Sequence, residues 1–178
     1  MTDLDIVDRC VIALLQVDGR LSHAEIARRL GVPEPTVRRR MKRLLDDEVM
    51  QVVAVPNPRR IGYGIHAIVG ARVRPGKAGD VVSALAPMRQ VRYIGVTAGA
   101  NDIVIEALFR DNDDFRIFLT ETLGRIEGLL GTETSYVLDV AKRSYKIGLA
   151  ADIQHACETP ADEEVLARCR TALSELEE

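Results

Sequence analysis

The hydrophobic period of this chain changes once, and that change limits what it can fold into. Up to about residue 48, apolar residues recur every three to four positions, the spacing that lines one face of a helix. From residue 65 they alternate, the spacing of a half-buried strand. Pro56-Asn57-Pro58 stands between the two regimes, where proline excludes regular structure. The chain therefore reads as a helical head followed by an α+β domain.

The head divides into three short helices. Ile6, Cys10, Ala13 and Leu14 share one face of a first helix over about Asp5–Gln16, which Asp18-Gly19 closes with glycine in the left-handed position. Ser22-His23-Ala24-Glu25 fits a capping box and opens a second helix running through Leu30. Gly31-Val32 breaks it. A third helix starts near Pro33–Pro35 and runs to about Glu48, with Val37, Met41, Leu44 and Leu45 on its inward stripe. Pro33 stands where a side-chain cap is usual and offers no acceptor.

Charge picks out the opposite face of that third helix. The chain as a whole carries −3. Residues 20–43 carry a net +6 and residues 151–178 a net −6, so the mean conceals a basic head and an acidic tail. Such asymmetry points to a nucleic-acid face. Helical spacing turns Arg38, Arg39, Lys42 and Arg43 outward, with Thr36 near the helix start. In a helix-turn-helix the second helix of the motif enters the major groove, where arginine forks onto guanine and cations neutralise phosphates. Ser22, Pro35 and Arg40 complete the candidate DNA-contacting set. The competing reading is a solvated charged face. Four cations without an interleaved acid gain no pairing along the helix, which favours an external anion, double-stranded DNA.

Composition excludes other classes. With 47% hydrophobic and 29% charged residues the chain is not predominantly disordered. No apolar run reaches the roughly 18 residues needed to span a bilayer. Met1-Thr2-Asp3-Leu4-Asp5 lacks the basic and apolar regions of a signal peptide, so a cytoplasmic location without membrane partners is expected, and nucleoid-associated if the basic head binds DNA. The three cysteines include no Cys-x-x-Cys pair. His155-Ala156-Cys157 supplies only two candidate ligands, so neither a metal nor a cofactor is expected.

Val49–Val55 is β-branched and reads as a strand within a linker and hinge over 49–64. Beyond it, strands are expected at Ile65–Val73, Val91–Ala98, Asp102–Phe109 and Thr134–Ala141. Helices are expected around Val81–Leu85 and over Asp113–Gly124. The resulting β-α-β-β-α-β order is the ferredoxin-like unit, here placed at 65–148. Ile94, Val96, Val104 and Leu108 are placed opposite Ile103, Ile105 and Phe109, so both sheet faces look apolar. A second apolar face wants a partner, which points to a sheet-to-sheet homodimer. A symmetric dimer also suits a palindromic site.

Several strings together resemble one family. They are Leu4-Asp5-Ile6-Val7-Asp8, Asp18-Gly19-Arg20-Leu21-Ser22, Leu30-Gly31-Val32, Thr36-Val37-Arg38-Arg39-Arg40 and Pro56-Asn57-Pro58 with Ile61-Gly62-Tyr63. Gly99-Ala100-Asn101-Asp102 and Thr132-Glu133-Thr134 follow in order. Over about residues 3–148 the chain resembles the Lrp/AsnC (feast/famine) transcriptional regulators. The resemblance implies a winged-type helix-turn-helix domain over 1–48 and a RAM/ACT-like effector-binding and oligomerisation domain over 65–148. It implies dimers that assemble further, commonly to octamers. It also implies an amino-acid effector held near the loop of residues 97–102, by Thr97, Gly99, Asn101 and Asp102 with Thr134 and Ser135. A glycine loop can offer N–H groups to a carboxylate, and Asp102 can accept from an ammonium. Read from its residues alone, the same loop is an ordinary hairpin turn.

Residues 149–178 extend past the family's usual end as an acidic helical tail. Val165, Leu166, Cys169, Leu173 and Leu176 give that tail an apolar stripe, which implies packing; a lid over the basic head is the alternative. Two other functions stay open. One is an architectural, nucleoid-type DNA binder without effector. The other is an enzyme like the sirohaem decarboxylases, which share the fold. Against the enzyme, His23, His66 and His155 do not cluster, and no phosphate loop or nucleophile elbow is present.

Overall fold

The computed structural model describes residues 4–147 and 159–177 and divides into two compact units. One joins Met1–Ala54 to Arg143–Glu178, and the other is Val55–Lys142. His155 and Cys157 lie outside the described residues.

The first unit holds α1 (Ile6–Val17), α2 (His23–Leu30), α3 (Glu34–Asp46) and a C-terminal helix, α6 (Pro160–Glu177). Each of the first three helices starts where its residues dictate. Asp5 caps α1, accepting from the Asp8 N–H at 3.0 Å, and the Asp8 carboxylate returns to the Asp5 N–H at 3.3 Å. The reciprocal capping box therefore sits here, in acidic residues. At α2 only half a box forms. Ser22 Oγ accepts from the Glu25 N–H at 3.1 Å, but the Glu25 side chain turns to Arg28 and Arg29. Pro33 precedes α3 with no side-chain cap, as its chemistry requires. Gly31 supplies the left-handed turn after α2, with φ 70°. Gly19 does not play that part; Asp18 ends α1 in extended geometry.

Ile6, Cys10, Leu14, Ile26, Leu30, Val37 and Leu44 form the buried core of this unit, and Cys169 and Ala172 of α6 belong to it. The helix expected as a separate tail over 149–178 is thus packed on α1 and α2. Its apolar stripe decided the matter in favour of burial over a lid. The strand expected at Val49–Val55 does not form. The segment is irregular, and Val52, Val53 and Val55 are exposed. β-Branched residues favour extended backbone, but a strand exists only against a partner, and no strand among the described residues pairs with this segment.

The second unit begins with a 3₁₀ turn, Pro58–Ile61, capped by Asn57. Then follow β1 (Ile65–Val73), α4 (Ala78–Leu85), β2 (Val91–Val96), β3 (Ile103–Phe109), α5 (Asn112–Ile117) and β4 (Leu129–Tyr136). The four strands form one antiparallel sheet in the order β2-β3-β1-β4, the ferredoxin-like arrangement. α5 is shorter than expected. A wide π turn (Phe118–Thr122) and a 3₁₀ turn replace its last turns. β4 begins five residues before the expected Thr134, because Gly128 and Gly131 read as punctuation although Gly131 pairs with Arg72 inside the ladder.

Ile65, Ala67, Val69, Ala71 and Val73 of β1 and Ile103, Ile105 and Phe109 of β3 are buried beneath α4 and α5. Phe109 meets Phe115 and Phe118 with ring centroids 5.2 and 5.0 Å apart. Register corrects one placement. Ile94 pairs with Ile105 and Val96 with Ile103, so these residues share the helix-covered face. The other face carries His66, Ile68, Gly70 and Arg72 with Val104, Glu106 and Leu108. It is more polar than the alternation suggested, and His66 Nε2 lies 3.0 Å from Glu106. No helix among the described residues is long and apolar enough to cross a membrane.

Candidate nucleic-acid interface and effector loop

α3 presents two cationic edges, and the structure separates them. Arg40 and Arg43 turn back towards α1, where they meet Asp8, a carboxylate with no exposed surface. Arg40 Nη1 lies 3.3 Å from Asp8 and 2.5 Å from Asp5. Arg43 Nη2 makes a close contact with the same Asp8 oxygen. Burial pushes the Asp8 carboxyl above its ordinary value and the Asp5 charge adds to this, while Arg40 and Arg43 pull it back. Arg40, expected among the DNA-contacting residues, is thus held by carboxylates of the α1 start. These pairs tie α3 to α1.

Arg38, Arg39 and Lys42 occupy the exposed edge, beside Pro35. The expectation that this face lacks acids is wrong. Glu34 holds Arg38 at 2.7 Å, and Asp46 holds Lys42, both at helical i,i+4 spacing. The Asp46 hydrogen bond keeps the Lys42 ammonium protonated to higher pH than usual. Both acids were visible in the sequence four residues from their partners. Among the described residues Arg39 is exposed and has no acidic partner, so it is the cation of α3 readiest to meet a phosphate or a base edge. Thr36 is half-buried with its N–H on the Pro33 carbonyl at 2.9 Å, and Ser22 is exposed at the start of α2.

α2 is braced by its own charges. Glu25 receives Arg28 at 2.7 Å and Arg29 at 2.6 Å, and these two hold its carboxyl down at about 2, Arg28 first. A carboxyl lowered on folding contributes stability that is complete above its ordinary value of about 4.5 and is lost as the pH falls towards 2. Replacing Glu25 by Gln is expected to lower the thermal midpoint at neutral pH, with the gap to the parent closing between about pH 4.5 and 2. A gap that stays constant across that range would assign the effect to something other than the Glu25 charge.

In the second unit the loop after β2 is built by its own hydrogen bonds. Thr97 Oγ1 donates to the Asn101 carbonyl at 2.7 Å, and the Thr97 N–H donates to the Asp102 carbonyl at 2.8 Å. Asp102 Oδ2 accepts from the Val73 N–H at 2.8 Å. Asp102 therefore seals the end of the β1–β3 ladder, a role its spacing did not reveal. The Asn101 amide lies directly over Gly70, whose missing side chain leaves it room; an added Cβ would come within 2.3 Å of Asn101 Nδ2. Ser135, opposite Ile68, shares this open sheet face with Asn101, whereas Thr134, opposite Val69, points to the helix-covered side. Gly99 is exposed at the loop tip. A separate cleft of about 630 Å³ lies between α4 and the π turn, lined by Lys77, Met88, Ile117 and Arg125 among others, and none of the candidate effector residues lines it.

Comparison with known proteins agrees with these two halves. Residues 4–45 match the model of the AsnC-type helix-turn-helix domain, and residues 66–147 match that of the Lrp/AsnC ligand binding domain. An uncharacterised HTH-type transcriptional regulator of Pyrococcus abyssi is 40% identical over 143 residues, which cover 80% of this chain and 90% of that protein. The HTH-type transcriptional regulator FL11 of Pyrococcus furiosus is 34% identical, covering 81% and 95% respectively. Among solved structures, the transcriptional regulator NMB0573 of Neisseria meningitidis, in complex with L-Met, superposes with a TM-score of 0.76 at 26% identity. It covers 83% of this chain and 97% of that one.

Proposed function

This chain belongs to the Lrp/AsnC family of transcriptional regulators, with a DNA-binding helix-turn-helix and a ligand-binding domain, and we propose that an amino acid controls its sequence-specific binding to duplex DNA. The observation that carries the DNA half is the exposed edge of α3, where Arg39 stands uncommitted between Arg38 and Lys42. Arg40 and Arg43, spent on Asp8, fix the angle at which that edge is presented.

The loop supports the effector half. Asn101 sits over Gly70 on the open sheet face that Ser135 shares, and the exposed Gly99 backbone is available to a carboxylate. The L-Met held by the Neisseria protein is a ligand of the right class. Thr97, Asn101 and Ser135 are the contacts we assign, with Asp102 shaping the loop from behind. We also assign the open sheet face to a second copy of the chain, through Ile68 and Val104 around the His66–Glu106 pair. Higher assembly from such dimers would give the effector a quaternary equilibrium to act on. The domain limits we assign are those of the two units, with the C-terminal helix counted with the DNA-binding half.

The test is a fluorescence titration against the DNA upstream of the chain's own gene and a scrambled duplex. It is run at two salt concentrations and with each of the twenty amino acids. One amino acid is expected to shift the affinity by about 5- to 150-fold, the usual range of allosteric coupling. Asn101→Ala is expected to remove that shift while leaving the basal affinity in place. Equal affinity for the scrambled duplex with no amino-acid response would make the protein an architectural binder instead.

A further inference from the structure

Cys10 and Cys169 meet where the C-terminal helix docks on the helix-turn-helix core. Cys10 lies on the inward face of α1 and Cys169 midway along α6, about 160 residues later in the chain. Both are wholly buried in one core cluster, where α6 packs on α1. α6 lies beyond the residues matched by either family domain, so the contact belongs to this chain's extension and not to the shared fold. Ordinary packing would be satisfied by any small apolar pair; two thiols buried in one seam between two helices allow a covalent outcome.

We propose that Cys10 and Cys169 form an intramolecular disulfide in response to a peroxide, clamping the C-terminal helix to the DNA-binding unit. The electron balance is that of one peroxide reduced to two waters. The Cys169 thiolate attacks one peroxide oxygen, the O–O bond breaks, and the departing hydroxide leaves as water with the thiol's proton. Cys169 is then a sulfenic acid. The Cys10 sulfur attacks the Cys169 sulfur, the S–O bond breaks, and the hydroxyl leaves as a second water with the Cys10 proton. Two thiols have given up two electrons. A dithiol reverses the bond by exchange.

Each sulfur has a distinct part. In the docked pair Cys10 holds the Cys169 thiol below its ordinary value, against the opposing effect of burial, and the positive charge of Arg170 acts the same way. Cys169 rides on the helix that lifts, beside Arg170, and is the attacking sulfur; Cys10 stays in the α1 core and is the resolving one. Burial keeps the closed pair from the oxidant, so the first step belongs to molecules in which α6 has lifted. The polar hold on that edge is slight: Arg29 reaches Glu175 at 3.2 Å and the Ala172 carbonyl at 3.5 Å. Re-docking brings Cys10 onto the oxidised sulfur. Once closed, the bond spans a long loop and removes open states of the chain, so the oxidised unit is the more stable.

The experiment treats the full chain with hydrogen peroxide, alkylates it under denaturing conditions, and maps tryptic peptides by mass. The expected product joins the peptide Cys10–Arg20 to Cys169–Arg170, with two of the three thiols lost from titration. The thermal midpoint should rise and return with dithiothreitol. Cys157→Ser should behave like the parent, while Cys169→Ser should lose both the cross-link and the midpoint shift. Separate alkylation of Cys10 and Cys169 after oxidation, or cross-links formed only through Cys157, would overturn the proposal. Mapping of the unmutated chain decides this even where a variant fails to fold.

Discussion

Replacing Asp8 by Ala is expected to destabilise the helix-turn-helix unit by about 3 kcal/mol, the low end of the roughly 3–5 kcal/mol seen when one partner of a buried ion pair is removed. Asp8 has no exposed surface and serves three groups at once: the Asp5 N–H, Arg40 and Arg43. Its loss leaves two guanidinium groups facing each other in the place it occupied. Their Nε atoms are already buried without a partner, and although Asp5 still holds Arg40, Arg43 loses its ion-pair partner. The low end applies because the Arg40 and Arg43 side chains keep 20% and 40% of their exposure, and water can reach them. Urea unfolding followed by helical circular dichroism reads the loss directly. A second variant separates charge from packing. Adding Arg40→Leu to Asp8→Ala should recover part of the loss, because a buried ion pair replaced whole by apolar groups is often neutral. A loss below about 1 kcal/mol in Asp8→Ala would show that the buried charges contribute little net stability.

That triad marks the boundary of what the sequence could disclose. The period-3.6 stripe of α1 and α3 and the alternation of β1 and β3 follow from burial of one face, which is written in single residues. Hence α1, α2, α3, β1 and β3 are legible almost to their ends, whereas α5 and β4 are not. Elements that depend on a partner were not. Val49–Val55 carries every local mark of a strand and forms none, because pairing is a property of two segments. Ile94 and Val96 were assigned to the wrong face, since a strand's alternation fixes two faces and leaves their orientation to the register. The same holds in the candidate sites. Glu34–Arg38 and Lys42–Asp46 are local pairs and could have been counted. Asp8 meeting Arg40, Asn101 resting on Gly70, and Cys10 sharing a core with Cys169 join residues far apart in sequence, which no spacing rule reaches.

Replacing Arg39 by Ala is expected to weaken DNA binding by about 1–3 kcal/mol, roughly 5- to 150-fold, without moving the thermal midpoint. The argument rests on a division of labour along one helix. Arg39 makes no ion pair among the described residues and is exposed, so its removal takes nothing from the fold. Arg38 and Lys42 must share their charge with Glu34 and Asp46, so each should cost less than Arg39 when removed. Arg40→Ala should show the opposite profile, a lower midpoint with DNA affinity reduced only as far as the unit unfolds. The salt dependence then tells what Arg39 touches. If it neutralises a phosphate, the slope of log affinity against log salt should fall by about 1 while all sequences weaken alike. If it forks onto a guanine, the slope should hold and discrimination at one base pair should relax. Arg39→Glu, which adds repulsion to the lost contact, should abolish binding at the salt where the parent binds. Unchanged affinity in Arg39→Glu would remove the exposed edge of α3 from the interface and with it the DNA half of the proposed function.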